Sequence, residues 1–205
     1  MRGARRTTKL ATPVLREEIA RRPRKSRRRG PSQGRSWSVA GPISRYLADD
    51  HSRLDAVLRR ATAPSGEVDR AAYASFRAGL LRHISMEEKI LLPAARRARR
   101  GEALPIAAQL RRDHAALASL LVPTPTPEIL RLLRELLDVH NPLEEGPSGV
   151  YEACDLLLAA DAEALAACLR RSPEVRVAPH YDGPRLHGHV GALLRAARGR
   201  SPRSP

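Results

Sequence analysis

The chain has 205 residues, a formal net charge of +15 and 42% hydrophobic residues, enough for one domain of ordinary size with extra length at its ends. One Phe, one Trp and four Tyr, with few β-branched runs, leave little from which to build a sheet, so the expected class is all-α. No stretch of about 18 uncharged apolar residues is present, which excludes a helical membrane span.

The positive charge is not spread over the chain. Residues 1–40 carry 13 Lys or Arg against Glu17 and Glu18, and residues 172–205 carry six Arg against Glu174 and Asp182, so residues 41–171 have no net charge. The basic character therefore belongs to the ends, and the segment 1–40 reads as a disordered Arg-rich extension. The run "RRPRKSRRRG" within it could hold phosphate backbones non-specifically, which keeps a nucleic-acid partner as a lower-ranked alternative. Trp37 is its only aromatic, so base stacking has little support. Cys154 and Cys168 are too few for a disulfide framework and sit among Leu and Ala, as small buried hydrophobes in a reducing cytoplasm would. The Arg-rich start lacks an apolar signal core, which also points to a cytoplasmic location. The excess of Arg over Lys, with abundant Ala, Leu, Pro and Gly, suggests a GC-rich bacterial gene.

From Gly41 onward, Ile43, Leu47, Leu54, Val57, Leu58 and Ala61 recur at helical spacing, with His51 on the same stripe. The breaker "APSG" predicts a short turn. A long helix over 68–99 follows, with Phe76, Leu80, His83, Met86, Glu87, Ile90 and Ala94 on one side and a kink expected at Pro93. A third helix over 105–121 carries Ile106, Leu110, His114, Leu117 and Leu121. After "VPTPTPE", Thr126 is placed to cap a fourth helix, with Pro127 at its first position and Glu128 at its positive end. That helix holds Leu130, Leu133, Leu137, His140 and Glu144 and is predicted to end near "EEGPSG". Four amphipathic helices with short connections describe an up-down-up-down bundle over residues 41–158. The segment "VYEACDLLLAADAEALAACLRR" predicts one or two short helices on its outside or end, and residues 159–205 a short helical extension and basic tail.

His51, His83, His114 and His140 fall one per helix, each inward by the periodicity. His83 is followed four residues later by Glu87, and His140 by Glu144, so each pair shares one helix face. Antiparallel hairpins would bring all six side chains to similar depths. Any one of these histidines alone reads as a hydrogen-bonded core residue. Together, four imidazoles and two carboxylates buried without a cation would carry a heavy desolvation cost, so the set predicts a metal site. The mixed nitrogen and oxygen donors suit iron or manganese, and zinc is chemically possible.

The stretches "HISMEEKILLPAARR", "RRDHAALASLL" and "HNPLEEG" resemble the hemerythrin-like family, whose HHE-type cation-binding domain is a four-helix bundle around a non-haem di-iron centre. The resemblance implies that His51, His83, His114 and His140 are terminal iron ligands and that Glu87 and Glu144 bridge two irons. Each ligating imidazole then needs an acceptor for its other ring N–H. Glu88, Asp50, Asp113 and Glu145 are nearby candidates, with solvated positions expected for most of them. Three departures stand out. Oxygen-carrying members have a second histidine where this chain has Ala118, they end in an aspartate five residues after the fourth-helix histidine, and Pro142 lies inside the last motif, where it should bend the helix. Either Glu144 or Glu145 could thus supply the last carboxylate. The resemblance implies a protein that binds or senses a small molecule such as O2, peroxide or NO, or that handles iron. The enzymatic alternative is a ferroxidase or peroxidase. The remaining histidines, His180, His187 and His189, do not share the core pattern and read as surface residues.

Overall fold

The computed structural model describes residues 40–62 and 66–183. Residues 1–39 of the Arg-rich extension, His187, His189 and the rest of the basic tail after residue 183 lie outside the described residues. Among those described, the protein is all-helical, with a single isolated bridge between Thr62 and Val68.

Helix α1 spans Pro42–Ala61, α2 Arg70–Met86, α3 Leu92–Ala98, α4 Ala107–Leu120 and α5 Pro127–Glu145. Two shorter helices follow, α6 Val150–Leu157 and α7 Ala162–Arg170. Side-chain caps fix several starts. Asp69 accepts from the backbone N–H groups of Ala71 and Ala72 at 2.9 Å, and Thr126 accepts from Ile129 at 3.3 Å. Helix α1 begins at Pro42, whose missing N–H costs nothing there. Its free N–H groups at Ile43 and Ser44 are capped by Asp155 of α6 at 3.0 and 2.9 Å, which also ties α6 to α1.

The second long helix departs from the expected kink. Between α2 and α3, residues Glu87–Leu91 form a π-helical turn in which the Leu92 N–H reaches back to the Glu87 carbonyl. The extra residue accommodates Pro93 without ending the helix and shifts the phase of everything after it. Ile90, expected inside, is only partly buried, whereas Leu91 and Ala95 are fully buried. Pro142 likewise does not end α5, which runs through it to Glu145.

Two apolar clusters flank the polar residues. One holds Leu54 and Leu58, Phe76 and Leu80, Leu117 and Leu120, and Leu133 and Leu136. The other holds Ile43 and Leu47, Met86 and Leu91, Leu110, and Val150 and Cys154, with Leu143 packed against it. On each of the four long helices the histidine falls between a residue of one cluster and a residue of the other. The order of the clusters along the chain reverses from α1 to α2, again to α4 and again to α5. A polar layer is thus sandwiched between two apolar ones, each fully buried Leu of which contributes about 1.5–3 kcal/mol. Cys154 is buried as expected, but Cys168 is exposed, because α7 turns that face outward.

Candidate metal centre

All six predicted site residues converge. His51, His83, Glu87, His114, His140 and Glu144 are each 5% exposed or less, and the helical register explains why. His83 and Glu87 stand one turn apart, as do His140 and Glu144, so each imidazole lies beside its own carboxylate at 3.3 and 3.2 Å. Glu144 and Glu145 differ in position. Glu144 is 1% exposed and faces inward, while the Glu145 side chain is 35% exposed.

The two carboxylates divide their oxygens between two halves of the layer. Glu87 directs Oε1 to His83 Nε2 at 3.3 Å and Oε2 to His114 Nε2 at 3.1 Å. Glu144 directs Oε2 to His51 Nε2 at 3.5 Å, and Oε1 to His114 and His140 Nε2 at 3.4 and 3.2 Å. Potential ligand atoms of His51, His83, Glu87 and Glu144 lie within 4.8 Å of one another, as do those of His114, His140 and Glu144.

This arrangement fits cations. Glu87 Oε2, His114 Nε2 and Glu144 Oε1 are buried without a hydrogen-bond partner although they crowd together. Orphaned buried atoms of this kind carry a desolvation cost that a shared cation removes. Ligands about 2.1 Å from one ion and at right angles to each other stand about 3 Å apart, close to the spacings seen.

The outer ring nitrogens are organised with equal care. His83 Nδ1 meets Asp50 at 2.9 Å, His114 Nδ1 meets Glu88 at 2.8 Å and His51 Nδ1 meets Glu145 at 3.3 Å. His140 Nδ1 faces Asp113 at 3.6 Å. Each carboxylate comes from a neighbouring element, so α1 serves α2, the π-turn serves α4, α4 serves α5, and α5 serves α1. This corrects the expectation that most of these acids are solvated, since Asp50 and Asp113 are buried and the part-exposed Glu88 and Glu145 pair with His114 and His51. Asp50 is held in turn by Arg53, and Asp113 by Gln109.

These contacts set the protonation of the layer. Burial alone disfavours the imidazolium of His83, but Glu87 and Asp50 outweigh it and raise its pKa to about 10. The same contest raises His114 to about 11, through Glu144 and Glu87, and His140 to about 9, through Asp113 and Glu144. Burial works against the charged form of Glu87, yet His83 and His114 hold its carboxyl well below the usual range, and Glu144 is lowered too.

Tyr151, from α6, is a central residue that the sequence pattern did not reveal. Its hydroxyl donates to Glu87 Oε1 at 2.5 Å and lies 3.2 Å from His51 Nε2, 3.2 Å from Glu144 Oε2 and 3.3 Å from His83 Nε2. One signal in the sequence could have found it: it is the only aromatic residue in that apolar segment. A cavity of about 250 Å³, lined by His51, Leu54, Leu80, Pro142 and Glu145 among others, adjoins the His51 edge of the layer. Of the remaining histidines, the described His180 is exposed and stacks on Tyr73, 6.0 Å between ring centroids, away from the site residues.

No described helix is long and apolar enough to cross a membrane. No curated protein and no solved structure matches the chain. The family model for the hemerythrin HHE cation-binding domain matches residues 43–171, which takes in both the six converging residues and Tyr151. That match spans more than half of the sequence, and the chain belongs to the hemerythrin HHE cation-binding domain family.

Proposed function

We propose that the four long helices form an up-down-up-down bundle whose polar layer binds two non-haem irons, and that the centre serves to bind or sense a small molecule such as O2, peroxide or NO. The reversal of the cluster order from helix to helix supports the antiparallel arrangement. The metal reading is carried by one observation: both Glu87 and Glu144 offer one oxygen to the His51 and His83 half and the other to the His114 and His140 half. Two carboxylates used in this way space and partly neutralise two cations, and four imidazoles fill the outer positions. When bound, iron supplies a centre that changes oxidation state and accepts an exogenous ligand.

The protein's own groups do the rest. The Nδ1 atoms of the four histidines face Asp50, Glu88, Asp113 and Glu145, which orients each ring with Nε2 inward. The apolar clusters above and below exclude bulk water and admit small uncharged molecules more readily than ions. The absence of net charge over residues 41–171 supports a core function distinct from the basic ends. The test is anaerobic loading with ferrous iron followed by metal analysis and exposure to O2. Two irons per chain and a stable, reversible absorbing adduct are expected. Repeated consumption of O2 or peroxide assigns a ferroxidase or peroxidase instead.

A further inference from the structure

We infer that Tyr151 is an additional metal ligand, its oxygen completing the His51 and His83 half of the centre and leaving one more coordination position unfilled on the His114 and His140 half. The inference rests on the di-metal reading above. It starts from the surroundings of one buried oxygen. Nε2 of His51 and of His83, with Glu87 Oε1 and Glu144 Oε2, are the donor atoms that these side chains turn toward one another. The Tyr151 hydroxyl lies 2.5–3.3 Å from all four. Its proton is donated to Glu87 Oε1. A cation among the five atoms satisfies every one, with the phenol giving up its proton to bulk water as its oxygen becomes a ligand.

The backbone is built to hold the oxygen there. The chain returns from α5 to α6 within four residues, and a Cβ at Gly149 would stand 2.5 Å from the Glu144 carbonyl and 2.7 Å from that of Gly146. Only glycine permits so tight a turn, which brings Tyr151 beside Glu144. Val150 and Cys154 anchor α6 in an apolar cluster, and Asp155 fastens it to α1. Tyr151 itself is 1% exposed.

The opposite half has a different provision. One turn after His114 stands Ala118, which carries no donor atom. Glu87 Oε2, His114 Nε2 and Glu144 Oε1 lack hydrogen-bond partners there. Counting the shared carboxylates, the first half has five protein ligands and the second four, so a six-coordinate ion has one more vacant position on the second.

The experiment compares the full chain with Tyr151→Phe after anaerobic loading with ferrous iron and oxidation with ferricyanide. Metal content, visible absorption and resonance Raman spectra are recorded. The wild type is expected to show a phenolate-to-ferric charge-transfer band with enhanced tyrosine ring modes that shift when ring-deuterated tyrosine is incorporated. Tyr151→Phe should bind the same iron and lose the band, while Tyr46→Phe, Tyr73→Phe and Tyr181→Phe keep it. Bound iron without ring modes in the wild type overturns the inference and leaves the metal reading standing, as does a band that survives Tyr151→Phe. No iron uptake by the wild type overturns both. Should Tyr151→Phe fail to fold, the labelled wild type together with the three other variants decides the matter by elimination.

Discussion

Asp50→Asn and Glu145→Gln form a matched pair whose ranking follows from the structure. Both acids receive the outer N–H of an imidazole, so both variants keep a side-chain acceptor and lose only its charge. Removing such a partner costs about 10–100-fold in metal affinity, equivalent to about 1.4–2.8 kcal/mol. Where in that range each variant falls depends on distance and solvent. Asp50 is 7% exposed and 2.9 Å from His83, so its charge acts at short range with little screening. Glu145 is 35% exposed and 3.3 Å from His51, so water already shares its charge. Asp50→Asn should therefore approach the 100-fold end and Glu145→Gln the 10-fold end or less. Asp50 brings a second effect of known sign. Burial opposes its ionisation, but His83 and Arg53 hold its carboxyl below the ordinary value, so it stabilises the fold at neutral pH and loses that contribution as the pH falls through its lowered folded value. Iron affinity measured by competition with a graded series of chelators reads the ranking. Wild-type affinity in Asp50→Asn, or a larger loss in Glu145→Gln, would refute the reasoning.

Metal loading should release protons at pH 7, because His83, His114 and His140 have pKa values of about 10, 11 and 9 in the metal-free protein; a pH-stat titration measures the release, and affinity should rise as the pH is raised from 6 to 9. The same raised values stabilise the metal-free fold fully below about pH 6.5, the unfolded value, and that contribution disappears as the pH rises through 9–11, so its melting temperature should fall across that window. Phe76→Ala, at a fully buried position in the first apolar cluster, should cost about 3–5 kcal/mol in denaturant unfolding. An alkylating reagent should modify exposed Cys168 rapidly and spare Cys154, whose thiol burial pushes up to about 12; mass spectrometry of the native and unfolded protein distinguishes them.

The six converging residues were legible because three facts coincide in one dimension: helical spacing places each histidine inward, the i and i+4 relation pairs two of them with glutamates, and hairpin lengths equalise their depth. Other features depend on three-dimensional placement. The outer acids are visible as neighbours, since Asp50 and Asp113 precede His51 and His114, and Glu88 and Glu145 follow Glu87 and Glu144. Each nonetheless serves a histidine of a different element, and only the cross-helix geometry shows which. The π-turn before Pro93 exchanged Ile90 for Leu91 in the core, a shift that a constant 3.6-residue period cannot express. Tyr151 escaped because its segment reads as outside packing, whereas the Gly149 turn folds it back into the layer.

The central claim is that Glu87 and Glu144 hold two irons between two pairs of histidines. Metal analysis of the iron-loaded full chain, with thermal unfolding followed in parallel, tests it most directly. The account predicts two irons per chain and a melting temperature that rises on loading. A protein that takes up no iron or manganese, and melts at the same temperature in excess metal, would contradict it.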